Sequence, residues 1–189
     1  MLAHEKYQFI NSVLKYQKIY SLFGILENEI RTRITATLCE YSNSKGYPEW
    51  FLVLPYSLKG NAAIQRAIKV NGFKIEGFEN YLPFSFWRYI LSSNHYTVLW
   101  TPVLHSIFPN LEMPKSQITF HSVQLKMQHA LEIRNRLAHY NFESSKFISV
   151  EQSTLLWLLE AMEVGLAAQS LMNLREQQIE MEIASREVI

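Results

Sequence analysis

Arg134 and His139 stand five residues apart in the run Arg134-Asn135-Arg136-Leu137-Ala138-His139, and these residue types can cleave RNA without a metal. Such cleavage needs a base to take the 2′-hydroxyl proton, an acid to protonate the departing 5′-oxygen, and fixed positive charge on the phosphorane between them. Imidazole titrates near neutrality and fills either proton role, whereas guanidinium stays charged and offers phosphate oxygens a planar fork. On a helix, residues five apart sit about 140° from each other, so Arg134 and His139 do not share a face. Asn135, four residues before His139, does align with it and is placed to orient the imidazole or a phosphate. Arg136, three before His139, is a second cation near the same edge. A two-fold axis between two copies of the chain lets each helix offer a different face to one pocket.

Spacing alone is weak evidence. By default Arg134 and Arg136 are solvated or paired with Glu132, and a histidine at a helix C-terminus is a favourable dipole partner. His129, Glu132, Arg136 and His139 recur at steps of three, four and three, but an arginine in the middle of that face argues against a metal. No cofactor or metal is expected.

The elements that position this run read as helices. From about Tyr7 to Tyr41, Ile10, Val13, Leu14, Tyr20, Phe23, Leu26, Ile30, Ile34 and Leu38 recur at helical spacing, interrupted only by Gly24; one long amphipathic helix or two abutting ones satisfy the pattern. Ser42 to Pro48 is a loop. A helix capped by Asn61 runs to Val70, where Asn71-Gly72 stops it. Phe73 to Phe78 alternates apolar and polar residues, but with no strand to pair with it is a loop. Pro83 opens a short aromatic helix, Phe84 to Leu91, and another lies between Tyr96 and Phe108, with Pro102 near its first turn or kinking it. Pro109-Asn110 and Pro114 break the chain. Ser116 then caps a long helix to about His139, so the Arg-His run closes that helix. A last helix covers roughly Val150 to Glu182 and passes into a charged tail, Arg175 to Arg186.

The chain has 189 residues, 48% hydrophobic and 13% aromatic, enough for a substantial core and short for two domains, so one domain over residues 1–189 is expected. Eighteen basic against seventeen acidic residues give a net charge of +1, which excludes the global electrostatic footprint of a general nucleic-acid binder and confines any RNA contact to a local patch. A single cysteine, Cys39, excludes an internal disulfide and a cysteine-rich zinc site, in keeping with a reducing cytoplasm. Met1 to Gln8 lacks the apolar stretch of a secretory signal. Tyr89 to Leu111 carries no Lys, Arg, Asp or Glu, yet its serines, histidines and prolines read as buried helix and loop, so no membrane anchor is expected.

Two further features bear on the site. Glu27 and Arg31 lie four apart in the order that favours a helical ion pair, by default at the surface. Phe84, Phe86, Trp87 and Tyr89 form an aromatic cluster that is core by default and a platform for bases otherwise.

Three separated segments, Ile25-Leu26-Glu27-Asn28-Glu29-Ile30-Arg31, Leu82-Pro83-Phe84-Ser85-Phe86-Trp87 and Arg134 to His139, resemble in order and spacing the Abi-like (abortive infection) proteins of the HEPN superfamily. The Leu99-Trp100 and Phe108-Pro109 pairs extend the resemblance from about Asn11 to Phe142. It implies an all-α HEPN-like bundle of about six helices, usually dimeric, in which Arg-x4-His residues of two protomers line a shared cleft and cleave RNA without a metal. Carried over by position, Arg134 is the phosphate-stabilising cation, His139 the acid-base residue and Asn135 a polar helper, with Arg136 and Arg31 as RNA contacts. Glu27 and Arg31 match first-helix positions that buttress the cleft. The implied activity is that of a metal-independent endoribonuclease, a toxin or phage-defence effector with RNA as substrate, acting in the cytoplasm as a homodimer and leaving room for an antitoxin. A non-catalytic RNA-binding or regulatory HEPN module is the alternative, and a helical partner module without an RNA role is a third. The chain departs from the family after His139, where Tyr140-Asn141-Phe142 replaces the common His-Glu-Pro run.

Overall fold

The computed structural model describes residues 3–72, 77–111, 117–139, 148–171, 173, 174 and 177, and every regular element among them is helical. The first helix, α1, spans Ala3–Lys45 without interruption, about 65 Å at 1.5 Å per residue. Its buried stripe, Ile19, Leu22, Phe23, Leu26, Ile30, Ile34 and Leu38, repeats at steps of three and four, so one face is apolar over most of that length. Gly24 costs a helix interior about 1 kcal/mol. Each large stripe residue contributes roughly 2 kcal/mol on burial, which keeps α1 continuous through the glycine. The helix also runs past the expected loop start at Ser42 and turns at Gly46, whose φ of 72° suits glycine.

Helix α2 covers Leu58–Asn71, α3 Phe84–Ile90, α4 Thr101–Ile107, α5 Gln117–Ala138 and α6 Ile148–Ala161. The N-cap of α2 is Ser57, whose hydroxyl accepts from the Gly60 amide at 3.2 Å; the expected cap, Asn61, lies inside the helix and donates from its side chain to the Tyr56 carbonyl. One π-helical turn, Tyr96–Trp100, feeds α4, and Pro102 sits in the first turn of that helix, where its missing N–H is harmless. Most of the Phe73 to Phe78 stretch, and the expected cap Ser116, lie outside the described residues.

The expected single helix from Val150 to Glu182 is broken. It stops at Ala161, reverses through Glu163 at φ 64°, and residues 165–171 are helical again. Asn110 enforces the stop from the far side: its amide donates to the Ala161 carbonyl and its side chain to the Glu160 carbonyl, both at 3.1 Å. These bonds satisfy carbonyls that a helix end leaves open. Gly165 completes the turn, because a Cβ there would lie 2.4 Å from Glu160 Cγ.

Helix α1 is the axis of the fold and packs against α3, α4, α5 and α6, while α5 packs on α6 and α3. Phe120, Val123, Met127, Ala130, Ile133 and Leu137 give α5 its buried face, and Leu155, Leu158 and Leu159 give α6 its own. The aromatic cluster is core: Trp87 stacks on Trp50, Phe51 stacks on Phe78, and only Tyr89 reaches solvent. Among the described residues no helix is long and apolar enough to cross a membrane.

Candidate active site

The alternation on α5 that buries Ala130, Ile133 and Leu137 turns Arg134, Asn135 and His139 outward, and all three are exposed. His139 follows the last residue of α5, yet its amide is shared between the Asn135 and Arg136 carbonyls at 3.1 and 3.2 Å. The helical screw therefore continues to His139, and the separation of about 140° from Arg134 stands. Among the described residues the side chains of Arg134, Asn135 and His139 make no hydrogen bond or ion pair.

Arg136 differs. Its Nε and Nη2 both donate to Oε1 of Glu151 on α6, at 2.8 and 2.6 Å. The Glu151 side chain is only 5% exposed, and its second oxygen is buried without a partner. The guanidinium of Arg136 thus neutralises a buried carboxylate and pins the end of α5 to α6. Glu132, the local default partner, instead accepts from Gln128.

Arg134 projects into a cleft of about 480 Å³ between α1 and α5. Tyr16, Tyr20, Gly24 and Glu27 form the α1 side, and Leu137 and Ala138 join Arg134 on the α5 side. The α1 residues recur at steps of four, four and three, so one helical face supplies the whole wall. No side chain rises from Gly24, and a Cβ added there would meet nothing within 4 Å, which keeps the groove open at its middle. Burial and then the nearby Glu151 carboxylate push the Tyr16 hydroxyl above its usual range, with Arg136 opposing them. Tyr16 therefore stays a neutral phenol near pH 7.

Glu27 is held by Arg31 at 2.9 Å, and Arg31 also donates to Asn80 at 3.3 Å. The Arg31 side chain is 17% exposed and its Nε is buried without an acceptor, so this pair braces the α1 wall. A neighbouring pair, Arg33 with Glu29, reaches on to the Ile107 carbonyl and ties α1 to the end of α4.

The structure thus brings Arg134 and Glu27 to one cleft, backs Glu27 with Arg31, and leaves Asn135 and His139 exposed about 100° and 140° round the helix from Arg134, outside the lining. It ties Arg136 away to Glu151. Sequence reasoning missed Tyr16, Tyr20 and Gly24 as cleft residues, although Gly24 interrupting an apolar stripe in register with Tyr20 and Glu27 was the available signal. What fold and site define, among the described residues, is an all-helical arrangement with an unpaired arginine in a cleft and an unpaired histidine on another face of the same helix. No family model, no curated protein and no solved structure matches the chain.

Proposed function

We propose that the protein is a metal-independent endoribonuclease of the HEPN Abi-like type, working as a homodimer. The observation that carries this reading is the asymmetry within the motif. Arg136 is consumed by a structural ion pair, while Arg134, Asn135 and His139 stand at the end of the same helix with their side chains uncommitted among the described residues. In the proposed mechanism Arg134 takes the non-bridging phosphate oxygens and stabilises the phosphorane. His139 of one protomer takes the 2′-hydroxyl proton, and His139 of the other protonates the leaving 5′-oxygen. Asn135, aligned with His139, orients the imidazole or the phosphate. Glu27, braced by Arg31, fixes the opposite wall. The two-fold arrangement answers the angular gap, because a single helix cannot aim Arg134 and His139 at one point.

RNA incubated with the purified full-length protein in excess chelator is expected to be cut, with Arg134→Ala and His139→Ala each losing at least about a hundredfold in rate. Uncut RNA, or equal cutting by wild type and His139→Ala, refutes the proposal. A role as a toxin or defence effector in the cytoplasm, with or without an antitoxin, follows from the family resemblance and is part of the same proposal. The second reading, RNA binding without cleavage, is motivated by the sequence after His139, where Tyr140-Asn141-Phe142 stands in place of the family's common His-Glu-Pro run. Binding that weakens with salt while RNA stays intact is its signature.

A further inference from the structure

A second cleft, of about 560 Å³, lies where the N-terminus of α2 meets α3 and the turn Ser93–His95. It shares no lining residue with the cleft that holds Arg134. Tyr56, Phe86 and Tyr89 make one wall apolar and aromatic, and Lys59, Asn94 and His95 supply polar groups. Lys59 is the only lysine or arginine in the lining, and no carboxylate lines the cleft.

Two independent features meet here. The first is the start of a 14-residue helix: Ser57 satisfies the Gly60 amide, and Asn61 donates to the Ser57 carbonyl at 2.8 Å. The amides of Leu58 and Lys59, one turn too early for an intrahelical acceptor, remain as donors at the positive end of the helix dipole. The second is His95, which is 6% exposed and whose ring has no hydrogen-bond partner among the described residues. His95 lines this cleft. A largely buried imidazole with no protein partner is left to hydrogen-bond whatever occupies the cleft it lines. Burial also lowers its pKa, so the ring is neutral near pH 7 and both donates and accepts.

We propose that this cleft binds a small phosphate ester with a planar body. The phosphate oxygens sit on the Leu58 and Lys59 amides and the Lys59 ammonium, the body lies on the Tyr56 and Tyr89 wall, and His95 hydrogen-bonds the polar edge of the ligand. The volume is in the range that encloses a ligand of that size. A phosphate rather than a carboxylate fits because a tetrahedral dianion offers separate acceptors to two amides and an ammonium together.

The test uses the full-length protein and phenyl phosphate as probe, followed by NMR of the Leu58 and Lys59 amides and the His95 ring nitrogens. Saturable shifts at all three are expected, with binding weakened about tenfold by Lys59→Ala, an exposed substitution that leaves the fold intact. His95→Gln is expected to weaken binding less, and its own folding is checked by thermal melt. No saturable shift up to about 10 mM overturns the proposal, since that is weaker than any useful site. So does unchanged binding by Lys59→Ala. Inorganic phosphate binding as tightly as phenyl phosphate overturns the aromatic wall, and benzoate binding as tightly overturns the phosphate. None of these outcomes depends on RNA cleavage.

Discussion

Removing Arg136 should damage the fold, whereas removing Arg134, two residues away, should not. The carboxylate of Glu151 is 5% exposed, and the only neutralising contact among the described residues comes from Arg136 Nε and Nη2 on Oε1. Its other oxygen already lacks a hydrogen bond. Breaking a buried pair from one side costs about 3–5 kcal/mol. The Arg136 side chain is 42% exposed, so water can enter the gap it leaves, and roughly 2–3 kcal/mol is the better expectation. For a chain of this size that lowers Tm by roughly 4–12 °C. Arg134 is exposed with no ion pair, and Arg134→Ala should stay within about 0.5 kcal/mol of wild type. The double variant Arg136→Met/Glu151→Leu replaces the pair by apolar groups of similar size and should recover most of the loss. Thermal melts and urea titrations of the four proteins read the result. Equal stability of Arg136→Ala and Arg134→Ala, or a double variant no better than Arg136→Ala, would falsify the assignment of Arg136 to a structural role. The same set separates structure from chemistry: RNA cleavage should return in the double variant and stay lost in Arg134→Ala.

Three other outcomes follow from particular side chains. His95 has a pKa lowered by burial from 6.5, so the unfolded state binds the extra proton first; stability should be flat above about pH 7 and fall as pH drops through 6.5 toward the folded value. Thermal melts across that range should show the slope, and His95→Gln should flatten it. Gly24→Ala should add roughly 0.5–1 kcal/mol of stability, because its new methyl meets nothing within 4 Å. Gly24→Leu should instead fill the cleft beside Arg134 and slow RNA cleavage without unfolding the protein, with circular dichroism confirming the fold. Ser57→Ala should cost about 1 kcal/mol through the lost cap on Gly60, measured by urea titration.

Period and punctuation in the sequence account for the long helices, and the errors fall where a partner far along the chain decides the local outcome. The α1 and α5 stripes are legible because burying a large apolar face every three to four residues outweighs local propensity, even at Gly24. The break in the last helix is different. Nothing between Val150 and Ala161 ends a helix, and the stop depends on Asn110, about fifty residues earlier, donating to the Glu160 and Ala161 carbonyls. Gly165 was the one visible trace: a residue that must lie against the backbone of Glu160 can carry no side chain. The start of α2 was misplaced for a similar reason. Gly60-Asn61 reads as a turn and cap, but Ser57 takes the Gly60 amide three residues earlier and draws both into the helix.

The candidate site divides along the same line. Positions of Arg134, Asn135 and His139 relative to one another are fixed by the helical screw, so their outward placement and their angular gap were both readable. Their differing fates were not. Arg136 has the same type and nearly the same position as Arg134, yet one is committed and the other free, because Glu151 comes from α6 and meets only one of the two faces. Under the proposed ribonuclease reading that selection also bears on how the motif would work. A cation tied to a buried carboxylate holds the helix end still, and the motif residues beside it are then presented on a fixed frame. In the proposed reaction only the Arg134 side chain, and not its backbone, has then to be ordered when a phosphate arrives. Arg136 therefore belongs to the same device as Arg134, as the post that holds it.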